Sequence, residues 1–144
     1  MKTSGPDPRE PSARGSSTEV AVGADLRWRA SPHEGVEWKK LHFDGQRSVV
    51  LLRFAPGACY GAHRHPRGEE YFVLEGSLLD GGEVHRAGTW IAHPPGSAHR
   101  PSSPEGCVLL VRLDAPIDPI GDPVEGSDPP DGPGTGGRSS GELG

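Results

Sequence analysis

Glycine and proline are spaced so closely along this chain that a long helix has nowhere to form. The 144 residues include 22 Gly and 16 Pro. No window long enough to show a helical apolar stripe is free of them. Between these interruptions lie short segments rich in Val, Ile, Leu, Thr and aromatic residues, the composition of β-strands. They are VEWKKLHF (36–43), SVVLLRF (48–54), EYFVLEG (70–76), TWIAH (89–93) and CVLLVRL (107–113). Many short strands separated by turns predict an all-β sandwich or small barrel.

The apolar residues are concentrated in the middle of the chain. Every aromatic residue lies between Trp28 and Trp90, and the last dense apolar run ends at Leu113. We therefore predict one folded domain over residues 25–114. Residues 1–24 and 115–144 are rich in small, polar, Gly and Pro residues, and we predict both as disordered tails because they cannot bury enough surface to become ordered.

Charge and composition exclude several classes of function. Residues 115–144 contain six acids and one base, so the net charge of −5 arises there and the other 114 residues carry 14 charges of each sign. Without a basic run, nucleic-acid binding is not expected. No apolar stretch is long enough for a membrane span and the N-terminus lacks a signal-peptide region, so we predict a soluble cytoplasmic protein. Cys59 and Cys107 form no CxxC pair and are predicted as small buried hydrophobic residues.

The stretch GAHRHPRGEE (61–70) combines two histidines and two glutamates at short spacing. Residues two apart on a strand point to the same face, so His63 and His65 would lie close enough to bind one ion. Glu69 would join them if the chain turns back at PRG (66–68). Two imidazoles and a carboxylate suit Zn, Fe, Mn or Ni better than Ca or Mg. A solvated polar loop is the alternative that this stretch alone leaves open.

A second motif, some thirty residues further on, favours the metal site. Gly57, His63, His65, Glu69 and Gly76 match the first motif of the cupin superfamily, G-x5-H-x-H-x3-E-x6-G. Gly88, Pro94, Gly96 and His99 match the second, G-x5-P-x-G-x2-H-x3-N, with Ser103 in place of the final Asn. The chain thus resembles a cupin over about residues 25–114. The stretches EEYFVLEGSLLDGGEVHRAGTW and PPGSAH most resemble the cupin domain of ChrR-type anti-sigma factors and its single-domain relatives.

The resemblance implies a small antiparallel jelly-roll barrel that holds one divalent transition metal ion. The implied ligands are His63, His65, Glu69 and His99, and the identity of the ion (Fe, Zn, Mn or Ni) stays open. Glu70 competes with Glu69, but only Glu69 keeps the six-residue gap to Gly76 and shares a strand face with Tyr71. We predict Glu69 as the ligand and Tyr71 as a residue of the substrate pocket, with barrel packing as the alternative for Tyr71.

The remaining histidines and the tryptophans are given structural roles. His33, His42, His85 and His93 match no metal motif and are predicted to lie on the surface or in turns. Trp28, Trp38 and Trp90 are predicted to pack in the core or on a dimer face.

The resemblance leaves two classes of function open. The first is a metal-dependent enzyme, a dioxygenase that cleaves a small oxygen-chelating compound if the ion is iron, or an isomerase or lyase if it is zinc or manganese. The second is a non-catalytic metal-binding sensor or regulatory module. ChrR-type anti-sigma factors have an N-terminal zinc-binding helical domain, and residues 1–24 contain no Cys, no His and no helical stripe. We therefore expect a free-standing cupin with a small-molecule ligand, and a homodimer, because two predicted strands are apolar on both faces.

Overall fold

A computed structural model describes residues 17–120 of the chain. In that range the only helix is a single 3₁₀ turn, Gly23–Asp25, and all other regular structure is β. The first six strands are β1 (Arg29–Ala30), β2 (Val36–Phe43), β3 (Ser48–Phe54), β4 (Ala58–Cys59), β5 (His63–His65) and β6 (Glu69–Asp80). The last six are β7 (Glu83–Arg86), β8 (Trp90–His93), β9 (Ser97–His99), β10 (Ser102–Ser103), β11 (Cys107–Leu113) and β12 (Asp118–Pro119).

The strands form one large and one small antiparallel sheet. The large sheet has the order β1-β2-β3-β11-β6-β10-β4, and β7 and β8 also pair with β6. The small sheet has the order β12-β5-β9. The large sheet curls on itself into a half-barrel, which confirms the prediction of an all-β antiparallel barrel.

Three of the five predicted strands have the bounds that the sequence indicated. These are β2, β3 and β11, which pair side by side over seven residues each. Two local differences stand out. The predicted strand at 70–76 continues to Asp80 because Gly76, at φ 71°, bends the chain without ending it. β7 is not among the predicted strands, because its four residues are mostly exposed and lack an apolar pattern.

Gly76 lies where β6 changes its partners. Before it, β6 pairs with β8 and β11, and after it with β7 and β10. A β-carbon at Gly76 would collide with the backbone of Gly106, and β11 carries a bulge opposite, between Val108 and Leu109. The close approach and the bulge together let β6 curl from one side of the barrel to the other.

The core lies on the concave side of the large sheet. It consists of Val36, Phe54, Ala58, Tyr71, Val73, Leu78, Cys107, Leu109 and Val111. Cys107 is buried as predicted, whereas Cys59 is half-buried at the start of the segment that leads to β5. None of the three tryptophans belongs to this core, which corrects the first of their two predicted roles. Trp90 is 60% exposed, and Trp28 and Trp38 lie under Lys39 and Lys40 in cation–π contacts.

Ordered structure crosses both predicted domain boundaries. The 3₁₀ turn spans residue 24, and β12 lies inside the segment predicted as a tail, where it pairs with Arg64 and His63 of β5. Its two residues are exposed and show no apolar pattern from which a strand could be predicted. The rest of the predicted tails, 1–16 and 121–144, lies outside the described residues. No helix between residues 17 and 120 is long and apolar enough to cross a membrane.

Candidate metal centre

Three histidine rings meet at one end of the barrel. β5 carries His63 and His65 on one face, and its partner β9 places His99 directly opposite His63. The Nε2 atom of His99 lies 3.0 Å from Nε2 of His65 and 3.0 Å from Nε2 of His63. His63 and His65 are buried, and the His99 side chain is 8% exposed. The rings therefore direct three nitrogens at one another in a space that water barely reaches.

Hydrogen bonds on the far side of two of these rings fix their tautomers. Nδ1 of His63 lies 2.8 Å from the carbonyl oxygen of Gly61, which can only accept, so this nitrogen carries the proton. Nδ1 of His99 lies 2.9 Å from Oδ1 of Asp80, a carboxylate that likewise accepts. In the neutral rings, Nε2 of both histidines is then a lone pair aimed into the cluster. Two facing lone pairs at this distance require a proton or a cation between them, which is what a metal site provides.

Burial keeps His63 and His65 neutral. It lowers the pKa of His63 to about 4, with a further contribution from the neighbouring His99. It lowers the pKa of His65 to about 3, assisted by His63. Since a metal ligand must be an unprotonated imidazole, no proton has to leave either ring near neutral pH.

Glu69 supplies a carboxylate to the same cluster. Its Oε1 atom lies 3.4 Å from Nε2 of His65 and 3.5 Å from Nε2 of His99, and accepts no hydrogen bond although it is buried. Burial, and then the charge of Asp80, raise the pKa of Glu69 to about 8. Glu70 points away from the cluster and pairs with Arg112 at 3.4 Å. The structure thus brings together the four predicted residues and separates Glu70 from them.

Asp80 belongs to the site and was missed in the sequence. It is buried at the far end of β6 and accepts hydrogen bonds from Nδ1 of His99 at 2.9 Å, from the Tyr71 hydroxyl at 2.6 Å and from Nε2 of His93 at 2.8 Å. Burial alone would raise its pKa, but the hydrogen bonds from His99 and Tyr71 hold the pKa well below its usual range. In the sequence, Asp80 lies in the stretch LLDGGE, where an Asp followed by two Gly is typical of a turn. Strand parity could have found it, because Asp80 and the buried Leu78 share a face.

Two histidines predicted to lie on the surface or in turns are part of this network. His93 is half-buried, and its ring centre lies 4.7 Å from that of His99. With Glu69 and His99 it forms a second group whose donor atoms lie close together. His33 is also half-buried, and burial lowers its pKa to about 4. His33 lies in a turn, one of its two predicted places, whereas His93 lies on strand β8. Neither side chain is on the open surface, because tertiary contacts bring distant segments against the site.

An apolar cavity of about 70 Å³ adjoins the cluster. Its wall consists mainly of aliphatic and aromatic side chains. They include Val50, Leu52, Phe54, Tyr60, Tyr71, Leu78, Pro101, Leu109, Val111, Leu113 and Ile117. Tyr71 lies in this wall and also belongs to the buried core, which agrees with both of its predicted roles, and its hydroxyl donates to Asp80. Substrate binding by Tyr71 therefore stays a prediction.

The donor set fits a transition metal ion. Three imidazole nitrogens and one carboxylate oxygen are the ligands that Fe, Zn, Mn or Ni prefer, and His63, His65 and His99 form a group able to hold such an ion. The unpartnered Oε1 of Glu69 is aimed at the same nitrogens. Both observations agree with the expected cofactor class.

The fold is that of a cupin. The chain belongs to the family of ChrR cupin-like domains, whose model matches residues 16–116. No curated protein matches the chain.

Solved structures support the same fold. An RmlC-like cupin from Ralstonia eutropha is 20% identical, with a TM-score of 0.64 over 70% of this chain and 71% of that one. An acetylacetone dioxygenase from Acinetobacter johnsonii is 15% identical, with a TM-score of 0.65 over 81% and 83%. A chain from the crystal structure of Rhodobacter sphaeroides SigE in complex with the anti-sigma ChrR is 27% identical to this protein. Its TM-score is 0.57 over 62% of this chain and 50% of that one.

Proposed function

We propose that the protein is a metal-dependent, dioxygenase-type enzyme that acts on a small oxygen-chelating compound. The ion would be held by His63, His65, Glu69 and His99. The observation that carries this proposal is the convergence of three Nε2 atoms, two of them fixed as lone pairs, at the end of an apolar cavity. Four protein ligands on an octahedral ion leave two positions for exogenous groups, which a structural site does not.

The cavity indicates the shape of the substrate. Its wall of aliphatic and aromatic groups favours a compound with two oxygens at one end and a small apolar body, such as a β-diketone or hydroxyketone. A similar fold is found in a protein described as an acetylacetone dioxygenase. A bound ferrous ion would supply the redox chemistry and the coordination positions for dioxygen and the chelating oxygens.

The chain's own groups hold the centre in a binding-competent state. The Gly61 carbonyl and Asp80 retain protons on Nδ1 of His63 and His99, so that both Nε2 atoms face the ion. The mostly apolar wall of the cavity would strengthen polar interactions with a chelating ligand by lowering the local dielectric constant. With zinc or manganese in place of iron, the same arrangement would support isomerase or lyase chemistry.

A regulatory role is the second candidate. It is favoured by the match to the ChrR cupin-like family and by the 27% identity to the SigE–ChrR complex. In that case the domain would bind metal without turnover, and a protein partner would replace the substrate. A cytoplasmic location stays a prediction under both candidates.

Metal analysis of protein purified without chelator tests the proposal, with His65→Ala as the site variant and His85→Ala as a matched control. His85 lies on β7, and its strand partner is Leu78. We expect close to one iron per chain in the wild type and in His85→Ala, and loss of iron in His65→Ala.

The iron-loaded protein is then assayed for oxygen uptake with pentane-2,4-dione and with 3-hydroxybutanone. Uptake that depends on His65 supports the enzyme. Stoichiometric metal with no uptake for any chelating ketone contradicts it and favours the regulatory candidate. Wild-type protein that binds none of the four metals on titration contradicts both.

A further inference from the structure

His33 is joined to the ligand histidine His63 through one residue. The backbone N–H of Gly61 donates to Nδ1 of His33 at 3.1 Å, and the carbonyl of the same Gly61 accepts from Nδ1 of His63 at 2.8 Å. Gly61 is therefore held between two imidazoles, because it donates a hydrogen bond to His33 and accepts one from His63. Any movement of Gly61 would turn the His63 ring and its Nε2 lone pair.

Ring packing supports the same connection. The ring centre of His33 lies 4.0 Å from that of Tyr60, and the Tyr60 ring lies 4.8 Å from the His63 ring in an edge-on arrangement. The three rings form a row that ends at the metal cluster. Packing of this kind restricts the rotamer of each ring.

His33 itself is held firmly enough to act as a fixed point. Its N–H donates to the Ser31 hydroxyl at 3.0 Å, and its carbonyl accepts from that hydroxyl at 3.0 Å and from the Val36 N–H at 3.0 Å. Val36 begins β2 and belongs to the buried core. The turn that carries His33 is thus anchored to the large sheet, while His63 lies in the small sheet.

We propose that His33 is a positioning residue for the metal centre. By accepting the Gly61 N–H, it fixes the carbonyl that keeps the proton on Nδ1 of His63, and so keeps Nε2 of His63 directed at the ion. The inference rests on the metal-binding part of the proposed function. It does not depend on which reaction follows, or on whether any does.

Three substitutions of His33 separate positioning from packing. An Asn side chain can place its amide oxygen near the position of Nδ1, whereas Gln carries it one bond further and Ala removes it. We expect the Zn²⁺ affinity, measured by competition with a chromophoric chelator, to fall about 10- to 100-fold in His33→Ala and His33→Gln. It should recover substantially in His33→Asn, and His85→Asn should leave it unchanged. Equal affinity in wild type and His33→Ala would overturn the proposal, and so would equal losses in His33→Ala and His33→Asn when both are folded by circular dichroism.

A second readout does not require metal. Long-range proton–nitrogen NMR of the metal-free protein reports the tautomer of His63, which we expect to carry its proton on Nδ1 in the wild type and in His33→Asn. A mixture of tautomers in His33→Ala supports positioning, and an unchanged Nδ1–H form contradicts it. If the wild type binds none of Fe, Zn, Mn and Ni, the proposed function fails, while this measurement still decides whether His33 orients His63.

Discussion

At the residue scale, Asp80 is the least expected member of the site. One buried carboxylate accepts three hydrogen bonds, and two of the donors are histidines that the sequence separates by more than ten residues from it. The other nitrogen of His99, Nε2, faces the metal cluster. Asp80 therefore acts on the centre through the orientation of His99.

Replacing Asp80 by Asn should weaken metal binding. An amide has one acceptor oxygen and a donor group, so it cannot accept from His93, Tyr71 and His99 together. We expect Asp80→Asn to lower Zn²⁺ affinity about 10- to 100-fold and to reduce the free energy of unfolding by about 1–3 kcal/mol. Chelator competition and urea unfolding measure the two effects. Asp118→Asn, on the exposed β12, is the control, and wild-type affinity in Asp80→Asn would refute the role.

The buried ionisable groups predict a stability maximum for the metal-free protein. The pKa values of His33 and His63 are lowered to about 4 and that of His65 to about 3, so the unfolded chain binds more protons than the folded one below pH 6.5, and stability rises with pH up to that point. The pKa of Glu69 is raised to about 8, so the folded chain keeps a proton that the unfolded chain has lost, and stability falls between about pH 6.5 and 8.

Urea unfolding in the presence of a chelator, repeated from pH 4.5 to pH 8.5, would show this maximum near pH 6.5. The variant Glu69→Gln should keep the acid side of the curve and lose the decline above pH 6.5. A wild-type free energy of unfolding that rises steadily to pH 8 would contradict the expected effect of Glu69.

At the scale of elements, β6 determines both the curl of the sheet and the position of two site carboxylates. An extended strand of twelve residues spans roughly 36 Å, yet Glu69 and Asp80, its first and last residues, both contact the ring of His99. This requires a strong bend, which Gly76 and the bulge in β11 permit. The two carboxylates can therefore reach His99 together only when β6 is bent.

Gly76→Ala tests that condition. A methyl group there would meet the backbone of Gly106 and would also occupy a left-handed conformation, at φ 71°. Gly82 has a similar φ of 84° but open space around it, so Gly82→Ala carries the conformational strain alone. We expect Gly76→Ala to lose at least about 2 kcal/mol more than Gly82→Ala in urea unfolding, together with its metal. Equal losses in the two variants would mean that the close approach does not matter.

At the scale of the whole molecule, the strands could be predicted from the sequence better than the contacts between distant segments. Strands β2, β3 and β11 and the four clustered site residues follow from period-two patterns and motif spacing, which are local properties. His33 and His93 could not be placed in this way, because their roles depend on which distant strands meet. Strand parity could have placed Asp80 on the buried face of β6, but its three hydrogen-bond donors depend on tertiary contacts. The exposed β12 lacked any apolar pattern that could have separated it from the tail.

Self-association remains a prediction, and the outer face of the large sheet is where it should be tested. Trp90, Phe72 and Leu110 lie side by side on β8, β6 and β11, and they are 60%, 37% and 36% exposed. In a symmetric dimer each such residue would be buried twice, so Phe72→Lys should weaken association by at least about tenfold. Val84→Lys, on the exposed β7, is the control. Sedimentation at micromolar concentration decides, and a monomeric wild type would remove the prediction.

The curl of β6 would make metal binding dependent on complete folding of the chain. Because the two ends of that strand reach the same imidazole only when the sheet has curled, the binding site does not exist in a chain that is partly folded. If the protein binds metal as proposed, the fraction of chains that hold an ion would equal the fraction that has folded completely. In a preparation that contains damaged or incompletely folded molecules, the metal-to-protein ratio would stay below one even when metal is in excess.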